Sequence, residues 1–491
     1  MVSLRGAVVL VISCAAAATP TAWAQVTPDN VQFERQLEQF RRDTRLHIDP
    51  DVPVGERVLL KAGAYYTFSY LSLDDPNFET RILRQHELTG YARVNVDGVH
   101  DFTFRARTGY QDFHRGDAFG LDGDDNDDVI SPELERAVYR FDLQRHVAAR
   151  EGRLMGGDVA VAAGRDLVYW ASGLVLSQGV DGAAADITWG DAFGRLLIGQ
   201  TASDTIDFDT SRPDFDDDTH RLFYGAMLGT RVGKHRPFLY ALAQRDRNDD
   251  EPFVITSPTA QITTEFEYDS YYLGIGSTGA IGDRLVYSAE LVYEGGSALS
   301  NSFNVTEAGT LEAVPQTNER IEAMALDVRL DYLLPGAHQT RLSAEAILAT
   351  GDDDRRHASN TFGGNQPGTP DRSFNALGLL NTGVAFNPEV SNLALLRVGV
   401  STFPAPSVSA LRRLQLGTDV FVYRKFEKDA PIDEPTTDDR YLGFESDLFL
   451  NWRLTSDVTL AIRYGVFFPG DAIQNDDEPR HLFYTGVTFA F

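Results

Sequence analysis

The sequence predicts an all-β fold: a transmembrane antiparallel β-barrel of about 18 strands, with long extracellular loops and short periplasmic turns. Three observations predict it. The chain begins with a segment that has the composition of an export signal. From about Val58 onward, apolar and polar residues alternate with a period of two. The connections between the alternating segments are long and short in turn.

Residues 1–24 are predicted to be a cleaved signal peptide. Arg5 precedes an apolar run over residues 7–18, which is too short to cross a bilayer, and residues 22–24 (Ala-Trp-Ala) form a cleavage site. Lipoprotein processing at Cys14 is the alternative, since the residues before it loosely resemble that motif. Cys14 is the only cysteine, so cleavage after residue 24 leaves neither a disulfide nor a thiolate metal site.

Residues 25–50 have a different pattern from the rest of the chain. Phe33, Leu37 and Phe40 fall on one helical face among charged residues. We expect a periplasmic segment with a short amphipathic helix, and a frayed tail is the alternative. The barrel itself is predicted over residues 55–491.

Period-two alternation is clearest in residues 87–96, 102–107, 285–291, 324–331 and 458–465. One apolar face and one polar face are typical of a half-buried strand. Each segment has about the ten residues that a tilted strand needs to cross a membrane. The strands are predicted to begin near Val58, Ile82, Asp101, Leu134, Val159, Asp181, Ala192, Arg221, Pro237, Glu265, Arg284, Ile321, Gln339, Leu393, Leu411, Arg440, Val458 and His481.

The connections favour an outer-membrane barrel over a soluble sandwich, because only the barrel needs turns at one end and loops at the other. Tight turns are predicted at Asp97-Gly98, Gly190-Asp191, Gly233-Lys234, Pro335-Gly336 and Ser456-Asp457. Long loops are predicted at 112–132, 202–219, 248–263, 296–319, 351–391 and 426–439. The last strand places Phe483, Val487, Phe489 and Phe491 on one face, which resembles the terminal strand that barrel-insertion machinery recognises.

Most of the acid lies in the long loops, in runs such as 122–128, 214–218, 249–251 and 352–354. Clustered carboxylates suit a hard cation, so calcium binding is one interpretation. None of the runs has the spacing of a known calcium loop, and a solvated acidic surface is the preferred interpretation. The net charge of −28 excludes nucleic acid as a partner.

Arginines lie on the strand face opposite the apolar one, and that face lines the lumen if the apolar face contacts lipid. For Arg165 the alternation leaves the face ambiguous. The predicted pore-lining, substrate-binding residues are Arg93, Arg105, Arg107, Arg136, Arg140, Arg165, Arg329, Arg397 and Arg463. The predicted lumen carboxylates are Glu87, Asp142, Glu290, Asp327, Asp331, Glu345, Asp419, Glu445 and Asp447.

The first five of these arginines lie on three consecutive predicted strands, with Glu87 and Asp142 as their nearest obvious carboxylates. A local excess of guanidinium groups in a low-dielectric pore attracts anions. Guanidinium groups bind carboxylates through paired donors, and a uronate polymer carries one carboxylate per sugar. The alternative is structural, with lumen arginines pairing with lumen carboxylates to brace the wall.

Three segments resemble the alginate-export outer-membrane porins: Arg105-Ala106-Arg107, Glu133–Ala137 followed by Tyr139-Arg140-Phe141, and Ala163-Gly164-Arg165-Asp166. The total length also agrees, and the resemblance spans about residues 55–491. It implies an eighteen-stranded barrel with an arginine-rich constriction that releases the polyuronate alginate. The family often has Gly-Arg-Gln where this chain has Gly-Arg-Asp, and the extra carboxylate weakens anion binding there.

No catalytic site, cofactor or metal is expected. Residues 274–279 fit the GxGxxG pattern, but a period-two strand follows them instead of a helix. The sequence contains neither an HExxH nor a GxSxG motif.

The preferred function is diffusion or export of an anionic polysaccharide or oligosaccharide across the outer membrane. A general or uptake porin for small anions or nutrients is one alternative. A plugged structural or adhesive barrel is another, since residues 351–391 are long enough to fold into the lumen. The expected partners are outer-membrane lipid and lipopolysaccharide, the transported anion, and periplasmic export proteins.

Overall fold

The computed structural model describes residues 58–74, 80–113, 128–202, 205–213, 215, 219–256, 261–306, 309–474 and 478–491. The predicted signal peptide and the predicted helix within residues 25–50 lie outside this part of the chain. No helix among the described residues is both long and apolar enough to cross a membrane.

Eighteen antiparallel strands form one sheet, in which each strand pairs with its neighbours along the chain. The first strand also pairs with the last, which closes the sheet into a barrel. The barrel strands are β1 (Val58–Asp74), β2 (Thr80–Val96), β3 (His100–Phe113), β4 (Asp128–Asp142), β5 (Gly157–Trp170), β6 (Leu176–Trp189), β7 (Ala192–Thr201), β8 (Arg221–Thr230), β9 (His235–Asp246), β12 (Tyr268–Ile281), β13 (Leu285–Leu299), β16 (Asn318–Leu333), β17 (Arg341–Ala349), β18 (Leu393–Thr402), β19 (Leu414–Lys425), β20 (Tyr441–Arg453), β21 (Val458–Pro469) and β22 (Arg480–Ala490).

Three further elements lie in the connections and were not predicted from the sequence. Two are short hairpins, β10 (Phe253–Thr256) with β11 (Gln261–Thr264) and β14 (Phe303–Val305) with β15 (Leu311–Ala313). The third is the helix α1 (Leu143–Glu151), which follows β4. The Asp142 carboxylate accepts a hydrogen bond from the Arg145 N–H at the start of α1, so it caps this helix.

The predicted alternation of connections is confirmed. One end of the barrel, the turn end, carries short connections such as 190–191 and 231–234. The other end, the loop end, carries long connections such as 202–220, 350–392 and 426–440. Some connections depart from this rule. The connections 75–79 and 171–175 are short although they lie at the loop end, and the connections 143–156, which holds α1, and 403–413 are long although they lie at the turn end.

Two strand starts differ from the prediction by more than three residues. β4 begins at Asp128 and not near Leu134, because the β3–β4 register shifts twice and the shifts hide the alternation. β6 begins at Leu176 and not near Asp181. Leu176 and Ser177 are both buried, so this segment shows no period-two pattern.

The two faces of the sheet have opposite chemistry. Residues opposite one another on paired strands share a face, so the register divides the side chains into two sets. One set is apolar and exposed, and contains Leu196, Ile198, Leu228, Leu239 and Ile275. The other set contains buried carboxylates: Glu290, Glu294, Asp327, Glu345 and Glu445. The first face contacts lipid and the second lines the lumen.

The hydrophobic core lies inside the lumen at the loop end. The largest cluster joins Trp170 and Phe223 of the wall to Phe374 and Leu377 of the loop 350–392. Lumen side chains are buried there because loop segments cover them. The fold therefore places a long loop inside the pore, next to the charged wall.

Candidate functional site: the barrel lumen

Four predicted arginines form a row on the lumen side of β2, β3 and β4, hereafter the arginine row. Each of them pairs with a carboxylate on a neighbouring strand or turn, and each is partly or largely screened from solvent. The ion pairs of the arginine row are Arg93–Asp101 at 2.5 Å, Arg105–Glu135 at 2.7 Å, Arg107–Glu133 at 2.8 Å and Arg136–Asp166 at 2.6 Å.

The arginine row is not a region of unbalanced positive charge, which corrects the sequence interpretation. Glu87 lies 3.9 Å from Arg107, but Asp142 caps α1 and does not serve the row. The carboxylates that do serve it come from β3, β4 and β5. Arg105 lies opposite Arg136, and the next residue, Ala106, lies opposite Leu134. Glu135 is therefore an extra residue on β4 with no partner position on β3, which is a β-bulge. A bulge cannot be seen in a period-two pattern, so this carboxylate was missed.

Arg140 also faces the lumen, since it lies opposite Asp101 in the β3–β4 register. Its guanidinium is 3.9 Å from the Asp186 carboxylate, and half of its side chain is exposed. An exposed pair at this distance contributes little to stability. Arg140 is therefore the predicted residue of this wall whose guanidinium is most accessible to a solute.

Arg165 does not line the lumen, so its prediction as a pore residue is wrong. Its neighbour on β4 is Ala137, which lies opposite Phe104 on the exposed apolar face. On β6 it lies opposite Asp181, with an ion pair of 2.7 Å. Asp181 lies opposite Gln200 of β7, which lies opposite Leu222 of β8, which lies opposite Arg245 of β9. These residues share the outward face with Arg165 and lie near the loop end of their strands.

The other three predicted arginines lie elsewhere on the lumen wall, on β16, β18 and β21. Arg341 of β17 joins them and was missed. All four guanidinium groups interact electrostatically with the Asp419 carboxylate. Their partners within the wall are Arg397–Glu345 at 2.5 Å, Arg329–Asp331 at 3.1 Å, Arg341–Asp331 at 3.6 Å and Arg463–Asn451 at 2.9 Å.

Residues 350–392, hereafter the inserted loop, cross the lumen. The loop first contacts the connection 202–220, where the Asp209 carboxylate accepts from the Thr361 N–H at 3.0 Å. It then passes β12 and β13, reaches the connection 171–175, and returns along β19, β20 and β21. This confirms that the segment folds into the lumen.

The middle of the inserted loop is held by side chains from the wall. Glu294 of β13 accepts from the Asn375 N–H at 2.9 Å, and the Tyr272 hydroxyl donates to the Asn375 carbonyl at 2.6 Å. Beyond this point, the Leu379 N–H donates to the Gly173 carbonyl at 3.0 Å. The connection 171–175 itself turns inward, since its Ser172 N–H donates to Glu290. Two segments therefore narrow the lumen together.

Two carboxyl groups meet where the inserted loop contacts the loop 426–440. The Glu389 N–H points at the Asp433 carboxylate, 3.4 Å away. Burial and the nearby Asp433 raise the pKa of Glu389 to about 8. Burial and Glu434 raise the pKa of Asp433 to about 7. Both groups hold their protons more tightly than exposed carboxyls because burial disfavours the charged form, and a neighbouring carboxylate adds repulsion, Asp433 for Glu389 and Glu434 for Asp433.

Of the acidic runs considered for calcium, Asp352–Asp354 brings its carboxylates within 4.8 Å of one another. The Asp352 carboxylate already accepts from the backbone N–H groups of Asp354 and Arg372. It thus serves to shape the loop. The runs 122–127 and 216–218 lie outside the described residues.

The hydrogen bonds of the inserted loop to the wall include those to β12, β13, β20 and the connection 171–175. Val384 and Ala385 of the loop also pack against Leu71 of β1, Leu83 of β2 and Leu482 of β22. The arginine row lies on β2, β3 and β4, so it begins on a strand that the loop contacts. The lumen thus combines a charged wall with a loop that fills much of the remaining circumference.

Comparison with known proteins identifies the family. The alginate export family matches residues 191–485, which is more than half of the chain. The chain belongs to the alginate export family. This porin is placed in the outer membrane by its barrel and by its family, so its turn end is periplasmic and its loop end extracellular. No curated protein matches the sequence.

Three of the solved structures that are similar to this porin come from Pseudomonas aeruginosa. OccK11 (OpdR) has a TM-score of 0.52 at 12% identity, over 91% of this chain and 99% of that one. OccK8 (OprE) has a TM-score of 0.52 at 12% identity, over 90% and 99%. OccK2 (OpdF) has a TM-score of 0.50 at 10% identity, over 88% and 97%. These likenesses show the fold of the porin.

Proposed function

We propose that this porin is a passive channel for an anionic polysaccharide or oligosaccharide of the polyuronate type. The arginine row carries the proposal: guanidinium groups occur at successive positions on β2, β3 and β4, facing the lumen. Guanidinium groups bind carboxylates through paired donors. A uronate chain would therefore meet a binding partner at each step along this wall.

Because wall carboxylates compete for the arginines, we expect a solute anion to bind weakly and to move on, instead of binding tightly. A solute carboxylate must displace Glu133 or Glu135 to reach Arg107 or Arg105, and the wall carboxylate returns when the solute moves on. Conduction requires sites that are favourable enough to enter and weak enough to leave. The proposed channel uses no cofactor, energy source or catalytic step. Any export direction would come from periplasmic proteins that feed the pore.

The inserted loop favours a second function, an uptake or general porin for small anions. It spans the lumen, with hydrogen bonds to β12 and β20 and apolar packing against β1, β2 and β22. A narrowed pore would pass small anions or short oligomers and exclude a broad polymer. A fully plugged structural or adhesive barrel would have no ion conductance at all.

Planar-bilayer recordings test the proposal. We expect an anion-selective current in the wild-type barrel, and loss of that selectivity in the double variant Arg105→Glu, Arg107→Glu. The control is Arg150→Glu, Arg153→Glu, which makes the same charge change on exposed residues at the turn end. We expect alginate oligomers, but not neutral dextrins, to block the wild-type current.

Each outcome assigns one function. Block by oligouronates supports the polyuronate channel. Anion selectivity without block by oligouronates supports the small-anion porin. A barrel that conducts no ions supports the plugged alternative. Unchanged selectivity in the Arg105, Arg107 variant would contradict the role of the arginine row.

A further inference from the structure

We infer that Glu445 is a specificity-determining residue, because its carboxylate anchors the inserted loop in the lumen and so sets the size limit for solutes. The inference rests on the proposal that the lumen conducts. It assigns a role to a residue that was predicted only as one lumen carboxylate among several.

Glu445 lies on β20 and receives hydrogen bonds from three consecutive residues of the inserted loop. Its Oε1 accepts from the N–H groups of Val384 at 2.6 Å and Ala385 at 2.7 Å, and its Oε2 accepts from Phe386 at 2.8 Å. The Tyr423 hydroxyl of β19 lies 2.9 Å from the Thr382 carbonyl and 3.1 Å from Oε2, and its single proton is shared between these two acceptors. Successive backbone N–H groups that point at one carboxylate form an anion-binding nest.

This contact holds the loop strongly because the Glu445 carboxylate is shielded from water. Glu445 is fully buried, and a charge-assisted hydrogen bond in such surroundings is stronger than one between neutral groups. If the carboxylate were removed, three backbone donors would lose their partners, and an unsatisfied buried donor is costly. Four donors already occupy the two oxygens, so Glu445 holds the loop and does not bind solute.

The backbone of the loop is shaped for this contact. Gly383 has a φ of 114°, which residues with a side chain rarely adopt. A Cβ at this position would lie 2.8 Å from Glu445 Oε2 and closer still to the Tyr423 hydroxyl. The glycine therefore lets the chain turn directly over the carboxylate.

The position of the anchor explains why it would control pore size. Glu294 holds the middle of the inserted loop at Asn375, on β13. Glu445 holds the returning limb at residues 384–386, on β20. Leu379 remains bonded to Gly173, and Thr382 to Tyr423. Without the second anchor, residues 384–386 lose their hydrogen bonds to β20, this part of the limb can move out of the lumen, and the passage beside the arginine row widens.

The test compares wild type with Glu445→Gln, which has nearly the same shape but replaces one acceptor oxygen by a donor. The readouts are single-channel conductance and the swelling rates of proteoliposomes in neutral saccharides of increasing length. We expect a larger conductance and entry of saccharides that the wild-type barrel excludes. Glu312→Gln, on the exposed hairpin β14–β15, is the matched control. Heat-modifiable migration on a gel verifies that each variant folds.

A disulfide that holds the loop in place of the Glu445 carboxylate tests whether loop position, and not the carboxylate itself, sets the size limit. The Cβ of Ala385 lies 3.3 Å from the position of a Cβ built on Gly465, close to the roughly 3.5–4.5 Å of a disulfide. The same Cβ approaches Val384 Cγ2 and Asp447 Oδ1 so closely that these two side chains must shift to admit the cysteine. In the Glu445→Gln background, Ala385→Cys with Gly465→Cys should restore the wild-type size limit when oxidised. Reduction should abolish the restoration.

An unchanged size limit in folded Glu445→Gln overturns the inference while leaving the proposed channel intact. A silent wild type with a conducting Glu445→Gln supports the anchor and refutes a constitutively open channel. If neither conducts, both the anchor and the channel are refuted. A size limit that is insensitive to the oxidised disulfide also contradicts the anchor.

Discussion

Phe386 of the inserted loop lies flat against Phe467 of β21, with ring centroids 4.1 Å apart and ring planes 5° apart. The contact places an apolar ring of the loop beside the Glu445 anchor. It is buried, in contrast to the lipid-facing pair Phe444 and Phe468, whose rings are 4.6 Å apart and at 13°.

Phe386→Ala should release the returning limb of the inserted loop. Truncation of a buried phenylalanine costs about 3 kcal/mol, which is roughly a hundredfold change in a local opening equilibrium. We expect amide hydrogen exchange at residues 384–386 to accelerate by about that factor. Phe468→Ala is the control because it removes a stacked ring from the lipid face. Equal acceleration in both variants would contradict the assigned contact.

Glu135→Gln should increase anion selectivity, because it removes the negative partner of Arg105. A unit charge at 4 Å contributes about 1 kcal/mol in water, which corresponds to about a fivefold change in relative permeability. Reversal potentials in asymmetric salt measure this change. The effect should shrink at high ionic strength, where charges are screened. A decrease in anion selectivity would show that Glu135 does not neutralise Arg105.

Arg165→Gln and Arg136→Gln should behave differently, although the two residues are near one another on paired strands. Arg165 lies on the outward face, so its removal should leave conductance and selectivity unchanged. Arg136 faces the lumen, and its removal should lower anion permeability about fivefold, because a solute anion loses the attraction of one unit charge. Loss of selectivity in Arg165→Gln would contradict the register of β5.

The docking of the inserted loop on the loop 426–440, at Glu389 and Asp433, should weaken as the pH rises. Both pKa values are raised in the folded state, so the folded protein holds more protons than the unfolded chain above the ordinary values of 4.5 and 3.8. The stabilising contribution is complete below those values. It is lost as the pH rises through about 7 for Asp433 and about 8 for Glu389.

Proteolysis measures this pH dependence. Cleavage within the inserted loop, relative to a disordered reference peptide, should increase between about pH 5 and about pH 9. Glu389→Gln cannot ionise and should flatten the profile. Asp438→Asn, an exposed carboxylate of the same loop as Asp433, is the control. A wild-type profile that matches Glu389→Gln would exclude Glu389 as a titrating group.

The barrel could be predicted from the sequence because strand alternation and connection length depend on residues that are close together in the chain. A strand that faces lipid on one side must alternate, and turns at one end differ in length from loops at the other. β7 and β8 begin at Ala192 and Arg221 as predicted. Prediction from alternation failed where both faces of a strand are buried, as at Leu176, and where a bulge adds a residue, as at Glu135.

The lumen could be predicted only in part. Alternation correctly assigned the lumen side of Arg105 and Arg397, but not of Arg165, which is next to a glycine with a φ of 124°. It could not show which carboxylate reaches which arginine, because partners such as Asp166 come from another strand whose register is set by pairing.

The sequence by itself determined the class of fold, the order of the strands, the ends of most turns and the identity of most lumen arginines. These properties depend on side-chain periodicity and on residues adjacent in the chain. Only the tertiary structure decided the ion pairs of the arginine row and the path of the inserted loop. Those depend on register and on contacts such as Glu445 with Phe386, which lie 59 positions apart and meet only when the barrel closes.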